Sequence, residues 1–494
     1  MNHNLNCSGN PLHRRHFLTE AGTLGSVALA WLLSEDARAQ TASIELAATT
    51  ATSTSTAASP YAPRPSHFAP KAKRVIHIFC CGGVSHLDTF DFKPELVARD
   101  GQELSGKGKV DTFFGQPGRL MKSPFTFRRH GQSGRWMSEL LPQLATCADD
   151  LTFIYSMVGK NSNHTPATFL MNTGFTMNGF PSLGAWLSYG LGNDNENLPA
   201  FVVLPDPRGL PAGGSINWTQ GFLPAVHQGV ALRTRGEPIV DLQTPAEVTP
   251  ASRGAGMALL DRMNREFRDA NPGDSALSAR IRSYELAAKM QVSVPEAVGL
   301  DAESAATKKL YGLDAPVTEG FGRNCLLARR LLERGVRFVQ LFHGGAFGSP
   351  RINWDAHENV VENHTTQAAV LDRPVAGLLK DLKSRGMLDD TLVLWTTEFG
   401  RTPITQGLGA KGRDHHQHCY TVWMAGAGLK AGFGYGASDE VGYHAALQPT
   451  TVYDFHATVL QLLALDHTRL THYHNGIQRR LTDVHGHVVR GVLA

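Results

Sequence analysis

The chain is expected to fold as an α/β domain on a mainly parallel central sheet, and three features lead there. Short apolar runs bounded by turn residues alternate with helix-like stretches. Two of those stretches end in Arg-Gly, a helix C-cap signature. Clusters of polar residues follow the apolar runs, where ligand sites form at the C-terminal edge of an open parallel sheet.

The strands, in order, are Arg74 to Phe79, Leu151 to Tyr155, Phe201 to Leu204, Val336 to Phe342, Thr391 to Trp395 and Tyr420 to Met424. Phe321 to Gly335 and Val370 to Gly386 carry the spaced leucines of buried-face helices, with Pro374 marking a start or a kink in the second. Thr451 to Leu465 is a third helix. Residues near 206–320 depart from the pattern: a Gly/Pro-rich half precedes a charged helical stretch, Gly256 to Met290. They read as an insertion forming a lid or side layer.

The N-terminus carries paired arginines, Arg14 and Arg15, before an apolar run of 13 residues, Ala21 to Leu33, too short to span a bilayer. Ala37-Arg-Ala39 then offers a small-residue cleavage site. Residues 1–39 are read as an export signal of the twin-arginine kind, which places the mature protein in the periplasm or outside the cell. Residues 40–70, rich in Thr, Ala, Ser and Pro, read as a tether without a core, and 71–494 as one domain. The balance of 47 basic and 44 acidic residues, with no dense basic run, argues against a nucleic-acid partner. Membrane contact is expected only through the export signal. Beyond Cys7, the five cysteines lack CxxC spacing and read as mostly buried thiols.

Of the 22 histidines, 13 lie after residue 340, so histidine chemistry is concentrated late in the chain. Gly412-Arg-Asp-His-His-Gln-His418 packs one carboxylate and three imidazoles into five residues, ligand types that suit zinc and its neighbours. Read alone, it is as well explained by a solvated His-rich loop. Four further clusters lie just past strands: Cys80 to Asp91, Asn161 to Thr165, His343 to His357 and Glu398 to Arg401. Their convergence on one edge favours a metal site. Asp355 and His357, two apart, share a side of an extended segment, although Asp355 is also placed to cap the next helix. Glu398 is either a ligand or general base, or a partner of Arg401. If the Gly412 to His418 loop is extended, His415 faces away from His416 and His418. His77 reads as a core histidine.

His164-Thr-Pro-Ala-Thr-Phe-Leu-Met-Asn-Thr-Gly174 resembles the sulfatase signature Cys-Thr-Pro-Ser-Arg-Ala-Ala-Leu-Leu-Thr-Gly. Gly82 to Asp91, Trp354-Asp-Ala-His357, Glu398-Phe-Gly-Arg-Thr-Pro403 and Gly412-Arg-Asp-His415 resemble, as an ordered set over most of residues 71–466, the exported family known as domain of unknown function 1501. The order of strands and clusters is similar to the alkaline phosphatase superfamily. That resemblance implies a doubly wound sheet with helices on both faces and one or two divalent ions such as zinc, calcium or manganese. It also implies hydrolysis of a small or polymeric phosphate or sulfate ester by a nucleophile at a helix N-terminus. Carried over by position, Asp355, His357, Glu398 and His415 would be metal ligands, joined by Asp414 and, from the first loop, Asp88.

Two positions depart from the superfamily. His164 stands where a sulfatase has its modified cysteine or a phosphatase its serine, and an imidazole there can be a phosphoryl acceptor, a general acid or a metal ligand. Thr165 beside it is a substitute nucleophile, and Arg401 is expected to face substrate with His164. The first strand ends in Cys80-Cys-Gly-Gly83 instead of a ligating aspartate, so a one-metal site is an alternative to two. Two functions follow: an exported metal-dependent ester hydrolase, or a non-catalytic envelope protein that binds an anionic polymer or partner on the same fold.

Overall fold

The computed structural model describes residues 62–494 apart from 114, 196, 234–247, 272–274 and 347–350, so the expected signal and most of the expected tether lie outside the described residues. The strands that matter are β1 (Arg74–Cys80), β2 (Leu151–Val158), β3 (Phe201–Leu204), β4 (Val230–Ala231), β5 (Phe338–His343) and β6 (Thr391–Thr396). They are followed by β7 (Gly400–Thr405), β8 (Arg413–His416), β9 (Tyr420–Gly426), β10 (Phe433–Tyr435) and β11 (Thr450–Thr451). The helices are α1 (His164–Thr173), α2 (Leu183–Leu191), α3 (Pro250–Ala270), α4 (Ser275–Val298), α5 (Pro316–Glu333), α6 (Val360–Ser384) and α7 (Val452–Leu462).

Nine strands form one sheet in the order β10-β2-β9-β6-β1-β5-β3-β4, with β11 also beside β2. Neighbours run parallel except β9, which is antiparallel to both β2 and β6. The expected mainly parallel sheet is thus observed, with one reversed strand. Both faces are buried, which is why its central strands read as near-continuous apolar runs. Ile76, Ile78, Val339, Leu341, Val393 and Trp395 point into one core, shared with Leu326 and Leu327 of α5 and Leu371 and Leu379 of α6. Their sequence neighbours Val75, Phe79, Phe338, Phe342, Leu392 and Leu394 enter the other, with Leu170 of α1, Leu187 of α2 and Val459 of α7. His77 is fully inside, its Nε2 2.7 Å from Thr396 Oγ1, and burial drives its pKa down to about 3, so it stays neutral.

Helix α6 starts ten residues earlier than leucine spacing indicates. Asn359 Oδ1 accepts the amides of Val361 and Glu362, a side-chain cap on the first turn. Pro374 is neither start nor stop but lies inside the helix, where it removes one backbone bond. In the insertion, Leu286, Met290, Val294 and Ala297 of α4 join the core over α5 and α6. Among the described residues no helix is long and apolar enough to cross a membrane. The five described cysteines are buried free thiols, as expected.

Candidate metal centre

Because β1, β5 and β6 run parallel, the segments that follow them leave the same edge of the sheet and deliver Gly82, Asp355 with His357, and Glu398. His164 is the first residue of α1, after β2. The Gly412 to His418 segment reaches this edge only because β9, which it precedes, is the reversed strand. Its first half is not a loop but strand β8, paired antiparallel with β7 so that His415 lies opposite Arg401. Strand alternation separates the three imidazoles: His415 turns into the cluster, His416 meets the Tyr443 carbonyl, and His418 Nε2 lies 2.9 Å from Asp111 Oδ2. Gly412 permits the approach, since a Cβ there would sit 2.1 Å from the His357 carbonyl oxygen.

One ligand atom from each of His164, Asp355, His357 and His415 lies within 4.8 Å of every other, and all four residues are buried. Asp355 Oδ1 is the hub, 2.9 Å from His357 Nε2, 3.2 Å from His415 Nε2 and 3.5 Å from His164 Nε2. His415 Nδ1 is 2.7 Å from the Ser162 carbonyl, which can only accept, so the proton of the neutral ring is on Nδ1 and Nε2 is bare. His357 Nε2 lies 2.8 Å from that bare nitrogen. His164 Nδ1 is 2.7 Å from Glu398 Oε1, which directs Nε2 toward Asp355. Three imidazole nitrogens and one carboxylate oxygen, oriented by acceptors behind the rings, make a donor set able to hold a metal ion.

The other expected site residues are placed differently. Glu398 is adjacent but reaches the cluster through His164, and its Oε1 also accepts the Gly82 amide at 2.8 Å. Asp414 lies behind the rings, Oδ1 accepting the His415 amide at 2.8 Å and lying 3.8 Å from His357 Nδ1, and Oδ2 accepting the Phe113 amide at 2.7 Å. Asp88 is not in the cluster: it forms a two-pronged ion pair with Arg413, 2.7 Å and 3.2 Å, with both side chains fully buried. Thr165, half-buried, lies next to His164 but outside the four-residue group. Arg401 does not face outward. Its guanidinium is fully buried and donates to Gly83 O (2.8 Å), Gly82 O, Arg413 O (3.1 Å) and Asp355 Oδ1 (2.7 Å). That makes Arg401 a positioning residue for Asp355.

Sequence reasoning overlooked Arg351, whose Nη1 is 2.9 Å from Asp355 Oδ2 and whose side chain is 37% exposed, a cation that touches the cluster from outside. Its i, i+4 spacing to Asp355 is a pairing signal only on a helix, and this segment is irregular, so the contact had no local signature. The Ser162 carbonyl carried no sequence signal, because any residue supplies one. Phe399 packs beside His164 and His415 at ring-centroid distances of 4.9 Å and 4.7 Å, and Phe113 covers His415 at 4.6 Å.

Electrostatics keep three of the four donors in defined states. Burial would raise the Asp355 carboxyl, but Arg401 and hydrogen bonds from His164 and His357 hold it far below the carboxylate range. Burial, with Arg401 nearby, lowers His415 to about 2, so it is neutral at any working pH. His164 goes the other way: burial lowers it, but hydrogen bonds to Asp355 and Glu398 prevail and lift it above its ordinary 6.5. A metal ion must displace that proton, and the metal-free form holds it more tightly than a free imidazole does. Metal affinity is therefore expected to fall by about tenfold per pH unit below the raised pKa of His164, starting above pH 6.5. Titration of bound metal against pH checks this, and a His164→Gln variant, weaker overall, should lose the step.

Fold and site together define an α/β protein whose sheet carries, at its C-terminal edge, a buried histidine and aspartate group able to hold a metal ion. The chain belongs to the family described as Protein of unknown function (DUF1501), whose model matches residues 72–493, as the ordered motifs implied. No curated protein matches it. Among solved structures it is similar to the lipoteichoic acid synthase LtaP from Listeria monocytogenes (11% identity, 82% of this chain and 76% of that one, TM-score 0.35). It is also similar to the phosphonate monoester hydrolase SpPMH from Silicibacter pomeroyi (14%, 72% and 71%, 0.32). A third is a protein in the alkaline phosphatase superfamily from Vibrio parahaemolyticus (11%, 82% and 70%, 0.31).

Proposed function

We propose that this protein is an exported, metal-dependent hydrolase of a phosphate or sulfate ester. The observation that carries the reading is the convergence of His164, Asp355, His357 and His415 at the head of helix α1. A divalent ion held by these four would supply Lewis acidity and offset the charge of the anionic ester. Hydrolysis consumes one water and returns an alcohol and the acid anion. The chain's own groups have separable tasks. Glu398 orients His164, and Arg401 holds Asp355 against the rings. Helix α1 has no side-chain cap on its first turn, so its N-terminal amides and dipole favour an anion beside Thr165. Arg351 is the half-exposed cation in reach of the same carboxylate and the group to meet the ester's negative charge. An export signal over residues 1–39 and a tether over 40–70 put this domain in the periplasm or outside the cell.

One observation favours a second reading, a non-catalytic envelope protein that binds an anionic polymer or a partner. The imidazole of His164, at the nucleophile position of the sulfatase-like signature, is engaged with Glu398 and Asp355. Four protein donors around one ion also describe a closed, structural site. Elemental analysis of the purified exported form, with assays on aryl phosphate mono- and diesters and aryl sulfates, separates the two. Metal and turnover both present, and both lost in His415→Ala, support the hydrolase. Stoichiometric metal without turnover on any ester favours the binding protein, and absence of metal overturns both.

A further inference from the structure

We infer that a groove beside the histidine and aspartate group binds a single-chain anionic amphiphile, an alkyl phosphate or alkyl sulfate. The groove encloses about 620 Å³, within the range of small-ligand sites. Leu120, Met121, Val360, Val361 and Leu408 give it an apolar floor and lip, and Val361 and Leu408 are 44% and 79% exposed. Three cations, Arg119, Lys122 and Lys411, line this surface with one carboxylate, Asp100, and Glu103 stands beside Arg119, which leaves the cations in excess by one. The ion pairs of Arg119 with Glu103 (3.5 Å) and Lys122 with Asp100 (3.4 Å) are exposed and exchange readily for another anion. The excess of positive charge selects an anion, and the apolar floor selects an alkyl chain behind it.

The lining also argues against a sugar. No described aromatic residue lines the groove, so there is no platform for a sugar ring. Of its two neutral polar side chains, Asn359 already spends its Oδ1 on the amides of Val361 and Glu362, and Thr405 Oγ1 donates to Gly407 O at 2.8 Å while accepting the Arg119 amide at 3.3 Å. Few neutral polar groups remain to pair with hydroxyl groups, and unpaired hydroxyls would make a sugar costly to bury.

The groove is lined by residues on the same chain segments that carry the cluster. Asn359 is two residues after His357, Lys411 four before His415, and the Val360 amide donates to the Lys411 carbonyl at 3.1 Å. On the remaining side Arg413 Nη2 donates to the Met121 carbonyl at 2.9 Å. The amphiphile is thereby placed as the non-reacting part of a longer ester, a statement that rests on the hydrolase reading; the binding itself does not.

Calorimetric titration of the purified protein with octyl sulfate, below its micelle concentration, tests the groove. Octyl sulfate should bind at one site, and octyl glucoside and inorganic sulfate at least about tenfold more weakly, a difference of roughly 1.4 kcal/mol. Lys411→Glu should weaken octyl sulfate by a similar factor and the exposed Leu408→Ser by several-fold. Equal binding of octyl glucoside, or unchanged affinity in both Lys411→Glu and Lys122→Glu, would overturn the inference. So would binding to phosphatidylglycerol vesicles without binding to the monomeric amphiphile. Chelator-treated protein should bind octyl sulfate as well as untreated protein does, so a failure of the metal reading leaves the groove standing. Loss of groove binding in a protein that holds metal and turns over esters removes the groove alone.

Discussion

Asp355→Ala is expected to abolish metal binding and to cost about 3–5 kcal/mol of folding stability. Both effects come from one carboxylate. Its Oδ1 meets Arg401 at 2.7 Å and faces the Nε2 atoms of His357, His415 and His164, while Oδ2 meets Arg351 at 2.9 Å. Without it the one anionic donor of the four is gone, and the fully buried Arg401 loses its counter-charge while keeping only backbone carbonyls as partners. Asp355→Asn preserves volume and hydrogen bonding to Arg401, so it should lose metal yet retain more stability. Urea unfolding in chelator isolates the protein's own term from the ion's contribution. An Asp355→Ala midpoint equal to the parent's under those conditions would show that Arg401 does not depend on this carboxylate.

Asp88→Ala should be as damaging to the fold, again by about 3–5 kcal/mol, but should leave metal stoichiometry intact in the molecules that fold. Asp88 and Arg413 are each fully buried and pair through two hydrogen bonds, and Ser85 Oγ adds a third to the carboxylate at 2.5 Å. Removing the carboxylate leaves Arg413 the Thr402 and Met121 carbonyls and no negative charge. The double variant Asp88→Leu with Arg413→Met removes both charges and should regain much of the loss, because desolvation then falls on neither. Metal loss in folded Asp88→Ala would return Asp88 to the ligand set, against the geometry.

Much of the sheet was readable in advance because a strand buried on both faces is apolar at most positions, as in the short runs Phe201–Leu204 and Thr391–Thr396. Helix α6 was harder. Its first ten residues contain no leucine and put Glu362, Thr365 and Thr366 on an exposed face, and the asparagine that caps it is a common loop residue. Strand β8 was invisible as a strand because Arg, Asp and His are poor strand formers, and its pairing with β7 supplies what propensity does not.

The candidate site divides in the same way. Composition and spacing alone determined the α/β class, the residues able to do chemistry, and the alternation that sets His415 apart from His416 and His418. Only the tertiary structure decided which carboxylate meets which cation. Asp88 and Arg413 are 325 positions apart and Glu398 and His164 are 234, so no local pattern links them. Reversal of β9 carries His415 to the shared edge, Asp88 is claimed by Arg413, and Glu398 stands behind His164, which takes the fourth place. The physical reason is that side-chain chemistry is a property of each residue, whereas desolvation and charge pairing depend on the chain segments the fold brings within a few ångströms.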